Sequence, residues 1–229
     1  MSEEDLLGEI LGWAGVTIST YFFIAPVVPY YKLIKGKITY HEVPSILLIC
    51  SLLNCFLWAD YGLLKGNSQQ YAANGIGGSI TLIFTTILLI HIAERKFLKA
   101  LLYNLFLIAC VVEIYFFFYY IVDVEITGII VIVFNILMYA APAEKIYTIC
   151  KTGNYKLIPI FSTIGAFAGS ACWLYYGLYK SDMPTIVPNA LGLANGIFQV
   201  IIYIVYRKKY NKNNPSKVEE TAQLKNIVE

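Results

Sequence analysis

Charge is scarce in this chain. Lys and Arg together number 17 and Asp and Glu 15, so 14% of the 229 residues are charged while 58% are hydrophobic. Soluble domains carry about 25% charged residues, and this chain has too few to cover a water-facing surface of its size. Other features are missing too. There is no phosphate-cradling P-loop, no dinucleotide fingerprint and no HExxH motif. The two histidines, His41 and His91, and the five cysteines, Cys50, Cys55, Cys110, Cys150 and Cys172, show neither metal-ligand spacing nor a disulfide framework. These absences lead us to expect no enzyme activity, no cofactor and no metal. The net charge of +2 comes from loop lysines and gives no reason to expect a nucleic-acid partner.

Long apolar runs are abundant. A helix needs roughly 20 mostly apolar residues to cross a bilayer core of about 30 Å. Seven segments reach that length: 8–33, 44–64, 70–93, 98–121, 125–150, 158–179 and 184–207. Glu3, Glu4 and Asp5 precede the first run, where a cleaved signal peptide would carry basic residues. All but two of the basic residues fall at one set of span ends or in the tail from Arg207 to Lys225; only Lys65 and Lys180 fall at the other. Cytoplasmic loops are enriched in Lys and Arg. We therefore expect a cytoplasmic C-terminus and an extracellular or lumenal N-terminus. The polar stretch 208–229 reads as a disordered cytoplasmic tail.

An internal repeat organises these spans. WADYGLLK at 58–65 returns as WLYYGLYK at 173–180. At the same offset of 115, Pro44 matches Pro159 and Asn74 matches Asn189; at 116, Ala25-Pro26 matches Ala141-Pro142. Each copy covers three spans, and the fourth has no counterpart. The expected architecture is an all-α polytopic membrane protein with a 3+1+3 plan: a first triple-helix bundle at 1–93, a linker span at 94–124 and a second bundle at 125–207. One linker crossing lets both copies enter from the same side. The repeats are then parallel, a known transporter plan with substrate at the repeat interface.

This doubled set, Ala-Pro in the first span, Pro opening the second, WxxYGL closing it and Asn in the third, resembles the SWEET (MtN3/saliva) sugar transporters and their half-size bacterial relatives. The resemblance covers roughly residues 8–207. It implies a bidirectional uniporter for a mono- or disaccharide, with a hexose favoured, working by alternating access in the plasma membrane or an endomembrane, surrounded by lipid and assembled as a homo-oligomer. It assigns substrate binding to Trp58, Asn74, Trp173 and Asn189. Gating falls to the proline tetrad Pro26, Pro44, Pro142 and Pro159 and to Tyr61 and Asp182. The chemistry suits a sugar: Asn offers an uncharged donor and acceptor for hydroxyls, and Trp a rigid apolar face for the ring. Plant members often have a small residue where Trp58 stands, so Trp58 is expected to narrow the pocket towards a monosaccharide.

Plainer readings stand beside these. A Trp near a span end is commonly an interfacial belt residue, as Trp13 is expected to be. Asn within a span can be interhelical glue, the reading given to Asn104 and Asn135, which have no identical partner. Pro44 also suits the first turn of a helix, Asp182 also reads as a solvated loop acid, and Pro29 has no repeat partner. Asp60, Glu113 and Glu144 are acids within spans, where charge is costly, and none is duplicated. They keep open a proton-coupled exporter of amino acids or another small solute, of the related PQ-loop type. Against it, Pro26-Val27 and Pro142-Ala143 stand where Pro-Gln would be expected. A seven-helix receptor shares the outside N-terminus, but no three-helix duplication is expected there.

Overall fold

Inside a bilayer no water is available to the backbone, so a spanning segment must satisfy its own amides, and helix does so within one segment. The computed structural model is built accordingly. It describes residues 3–213 other than 44, 139 and 159, and their side chains except those of 3–5, 45–47, 118, 140–145, 156, 161, 162 and 213. Among the described residues run nine α-helices: α1 (Glu3–Ile24), α2 (Val27–Ile34), α3 (Ser45–Leu64), α4 (Ser68–Ile92), α5 (Phe97–Tyr120), α6 (Val124–Met138), α7 (Ala140–Thr152), α8 (Ile160–Lys180) and α9 (Met183–Asn213). Two one-turn 3-10 helices, Tyr40–Glu42 and Tyr155–Leu157, precede α3 and α8.

The fold is the expected 3+1+3 arrangement, with two differences in detail. The first expected span is broken in two: α1 ends at Ile24 and α2 begins after Pro26, beside an Ala-Pro pair. The fifth runs through α6 and α7, whose described residues are separated only by residue 139, outside those described. α9 also runs to Asn213, six residues past the expected boundary, so 208–213 are helix rather than tail. By length and apolar composition, Leu6–Ile34, Ser68–Ile92, Phe97–Phe117 and Met183–Lys212 suffice to cross a membrane, and Leu48–Leu64 and Val124–Met138 are shorter apolar helices. Pro29 lies in the first turn of α2, where its missing N–H has no intrahelical acceptor to lose.

The repeat is visible in the packing. α3 lies on α4 as α8 lies on α9; α1 lies on α4 as α6 lies on α9. Across the halves α1 meets α8 and, by the same relation, α6 meets α3. α5 breaks the symmetry: it packs on α3 and α4 of the first half. The molecule has a tyrosine end, carrying Lys65, Lys180 and the short turns 65–67 and 181–182, and a basic end, where α2, α4, α7 and α9 finish.

Each half depends on a tight hairpin at the tyrosine end. Gly66 takes φ 64 in the first, and its counterpart Ser181 takes φ 52 in the second, a left-handed conformation that glycine tolerates best. The repeated Tyr-Gly-Leu supplies the close contact. Gly62 and Gly177 do not end their helices; they lie within them, against the first turn of the next. A Cβ on Gly62 would stand 2.8 Å from the backbone nitrogen of Tyr71. Gly62→Ala should therefore destabilise the protein by about 1–3 kcal/mol. Gly75→Ala, with nothing within 4 Å of the new methyl, should be neutral or mildly stabilising. Thermal unfolding of the detergent-solubilised protein measures both, and equal midpoints would refute the close packing.

Candidate functional site

The four residues assigned to substrate line one cavity. It lies at the interface of the halves, has a volume of about 250 Å³, and counts Trp58, Asn74, Trp173 and Asn189 among its walls. α3 and α8 contribute the tryptophans, α4 and α9 the asparagines. Asn74 Nδ2 donates to the Gln70 carbonyl at 2.9 Å, and Asn189 Nδ2 to the Thr185 carbonyl at 2.8 Å. Both amides are thus fixed on their own helices, and their bonds are not interhelical glue. Each retains its carbonyl oxygen and a second N–H for a ligand.

Further polar walls come from residues without identical repeat partners. Asn135 on α6 donates to Asn54 Oδ1 on α3 at 3.0 Å, joining the halves. Ser19 on α1 accepts from Trp173 Nε1 at 3.0 Å, joining them again. Ser19 and Asn135 stand 116 residues apart and occupy equivalent places, as Gln70 and Thr185 do at 115. A search for identical pairs misses them; a search for small polar residues at the repeat offset finds them. Pro188, inside α9 and opposite Ala73 in the repeat, also lines the cavity and removes an amide from that helix. Asn104, expected as glue, bonds the Ala100 carbonyl of its own helix and no other helix among the described residues. No Asp, Glu, Lys or Arg is among the described lining residues. A cavity with apolar faces and neutral hydrogen-bonding groups suits an uncharged polyol better than a zwitterion, whose charges would need partners.

Towards the tyrosine end the cavity is roofed. Trp58 meets Tyr61 edge-on at 5.8 Å and Trp173 meets Tyr176 edge-on at 5.6 Å, both at 88°. Both tyrosines are buried to 1% exposure. Tyr61 donates its hydroxyl hydrogen to Asp182, in the turn before α9 of the other half. Tyr176 lies 3.0 Å from Asn67 Oδ1, at the start of α4 of the first half, and 2.9 Å from Gln69 Oε1. The expected pair Tyr61 and Asp182 thus has a twin, Tyr176 and Asn67, which the sequence reading missed; Asn67 and Asp182 are 115 apart, but as different residue types. Gln70 also donates to Thr185 across the halves, and Thr185 donates to Asp182 at 2.5 Å. Two lysines flank the roof: Lys65 lies 3.9 Å from Asp182, and Lys180 3.5 Å from Glu9, which also accepts from Gln69. Gly12 on α1 and Gly128 on α6 give the tyrosines room: a Cβ there would approach the Tyr176 and Tyr61 rings at 2.8 and 3.2 Å.

The remaining expectations fall elsewhere. Pro26 sits at the α1–α2 break with φ −67 and ψ −5. Pro142 lies in α7, its side chain outside those described. Pro44 and Pro159 lie outside the described residues, as do the side chains of Glu144 and Lys145. Asp182, at 8% exposure, is no solvated loop acid. Asp60 is fully buried on α3, with no hydrogen-bond partner for either carboxylate oxygen among the described residues. It is not among the residues lining the cavity. Glu113 is exposed on α5, and Trp13 is half exposed on α1.

Comparison with known proteins adds to this geometry. The family described as sugar efflux transporter for intercellular exchange matches residues 9–97 and 125–211, once for each half. Bidirectional sugar transporter SWEET5 of Arabidopsis thaliana is 30% identical over 228 residues, covering 96% of this chain and 95% of that protein. Bidirectional sugar transporter SWEET17 of the same plant is 30% identical, covering 93% and 91%. The solved structure of a eukaryotic SWEET transporter superposes with a TM-score of 0.80 over 90% of this chain and all of that one, at 23% identity.

The roof makes an ordered prediction. A hydrogen bond to a charged group contributes about 1.5–3 kcal/mol and one between neutral groups about 0.5–1.5. Tyr61→Phe, which deprives the buried Asp182 carboxylate of a donor, should therefore lower stability more than Tyr176→Phe. Unfolding midpoints of the two variants in detergent decide it, and the reverse order would refute the assignment.

Proposed function

We infer the function from a premise that the comparisons supply: the chain belongs to the SWEET family of sugar transporters. It is an integral membrane transporter and not an enzyme. Within that family we read it as a bidirectional sugar uniporter. The observation that carries this reading is the neutral cavity between the halves, with Trp58 and Asn74 facing a ligand from one side and Trp173 and Asn189 from the other. At about 250 Å³ it falls below the roughly 300–1,000 Å³ typical of drug-sized sites, and with Trp58 as a wall it favours one sugar ring over two. The preferred substrate is a hexose.

Transport proceeds by alternating access. The bundles 1–93 and 125–207 rock against each other, with 94–124 riding on the first, as the packing of α5 on α3 and α4 supports. Tyr61 with Asp182, and Tyr176 with Asn67, close the outer gate. The Pro26 break and Pro142 serve as hinges at the opposite gate, with Pro44 and Pro159 completing the tetrad. By the lysine distribution we read the tyrosine end as outside and the basic end as cytoplasmic. Assembly as a homo-oligomer belongs to the same proposal.

The purified full chain in proteoliposomes tests this reading. Labelled glucose should exchange in both directions, saturably, and without effect of an uncoupler; sucrose should exchange more slowly. Trp173→Ala and Asn189→Ala should each cut uptake by about tenfold, the loss of one contact of about 1.4 kcal/mol. Normal uptake in both folded variants would defeat the site assignment. One observation favours a second reading, proton-linked transport: the buried, unpartnered carboxyl of Asp60. Uptake driven by an imposed pH gradient and abolished by Asp60→Asn would replace the uniport mechanism.

A further inference from the structure

The halves differ at the basic end. In the first half α4 stops at Ile92, and the chain turns through Glu94 and Arg95, both left-handed at φ 56 and 57. In the second half the equivalent helix continues, α9 reaching Asn213. At the repeat offset Glu94 corresponds to Lys209, so an acid in one half is a base in the other. Glu94 is held by Lys96 at 2.9 Å. Neither Lys209 nor Lys151 has a carboxylate within ion-pair distance among the described residues.

The extension of α9 walls a second cavity of about 330 Å³, facing the end of α7. Lys151 and Thr152 line it from α7, and Tyr206, Lys209 and Tyr210 from α9. The wall is held in place: Tyr155 packs edge-on against Tyr203 at 5.4 Å and Tyr210 at 5.5 Å. The cavity also has a defined depth. It sits where the apolar stretch of α9 gives way to Arg207-Lys208-Lys209 and tyrosines gather, as they do at a membrane surface. Two ammonium groups line it, and no carboxylate does among the described residues.

We propose that this cavity binds a phosphate group, supplied by the headgroup of an anionic phospholipid in the adjacent leaflet or by a soluble phosphate. Basic pockets between transmembrane helices take such headgroups, and each Lys near the surface contributes enough for about a fivefold change in affinity. The carbonyl end of α7 by itself disfavours an anion; Lys151 in its last turn and Lys209 opposite supply two full positive charges against that partial one. The first half cannot form an equivalent site, because α4 ends before the wall would form and Glu94 occupies the place of Lys209. The site is independent of what the central cavity carries.

The full chain in nanodiscs tests it in three arms: phosphatidylcholine alone, phosphatidylcholine with a phosphatidylinositol phosphate, and phosphatidylcholine with inorganic phosphate in the buffer. The readouts are the unfolding midpoint and the titration curve of its rise. A rise only in the second arm identifies a lipid headgroup, and a rise in the third a soluble phosphate. Lys151→Gln and Lys209→Gln should each shift the titration about fivefold, and Lys209→Glu, which gives the second half the charge of the first, should abolish it. Lys96→Gln, in the first half, should leave it unchanged. Equal midpoints in phosphatidylcholine alone would show the variants folded. No response in either test arm, or the same response in a Lys151→Gln/Lys209→Gln double variant, would overturn the proposal and leave the lysines as partners of the helix ends alone.

Discussion

The structure turns on a hydrogen bond that each half makes to the other. A tyrosine near the end of α3 reaches the residue that starts α9, and a tyrosine near the end of α8 reaches the residue that starts α4. Other roof features follow from that crossing. The glycines on α1 and α6 let the rings lie close, Gly62 and Gly177 let each hairpin close tightly, and the tryptophans beneath pack edge-on against the same rings. The ceiling of the cavity and the lock between the halves are therefore one layer of side chains.

The twofold relation is kept in backbone and packing but relaxed in chemistry. Asp182 stands opposite Asn67, Thr185 opposite Gln70, and Asn135 opposite Ser19. One lock carries a charge and the other an amide. The Asn135–Asn54 bond joins the halves through two amides, whereas its counterpart joins Ser19 to an indole N–H. Duplicated helices require the same shape at equivalent places, but a hydrogen bond across the interface requires only one donor and one acceptor. Exact identity is therefore unnecessary wherever a polar pair spans the axis.

That relaxation explains how much was legible in the sequence. Trp58, Trp173, Asn74 and Asn189 stood out because both copies keep the same residue, and the structure brings all four to one cavity. Tyr61 and Asp182 were legible through family resemblance, and they meet. Asn67, Ser19, Gln70 and Thr185 were invisible to a search for identity, although the offset of 115 or 116 marks their places. Asn135, read as interhelical glue, does bond Asn54 on α3; its place in the cavity wall went unread because its counterpart is a serine. The break at Ala25-Pro26 was hidden because the segments on both sides of it remain apolar, and hydropathy does not register a turn of backbone. The extra turns of α9 were hidden for the opposite reason: they are polar, and their helix is held by Tyr155 from another segment.

The roof's acceptors do two tasks at once. Asn67 Oδ1 receives the backbone amide of Gln70 at 3.1 Å as well as meeting Tyr176, and Asp182 receives Thr185 as well as Tyr61. The two acceptors differ in what they keep: Asn67 Oδ1 holds the Gln70 amide on the same atom, whereas Thr185 sits on the other carboxylate oxygen of Asp182, so the one facing Tyr61 relies on that tyrosine and on Lys65 nearby. On the proposed gating, parting the neutral side costs about 0.5–1.5 kcal/mol and the carboxylate side about 1.5–3, so the roof yields first where Tyr176 meets Asn67.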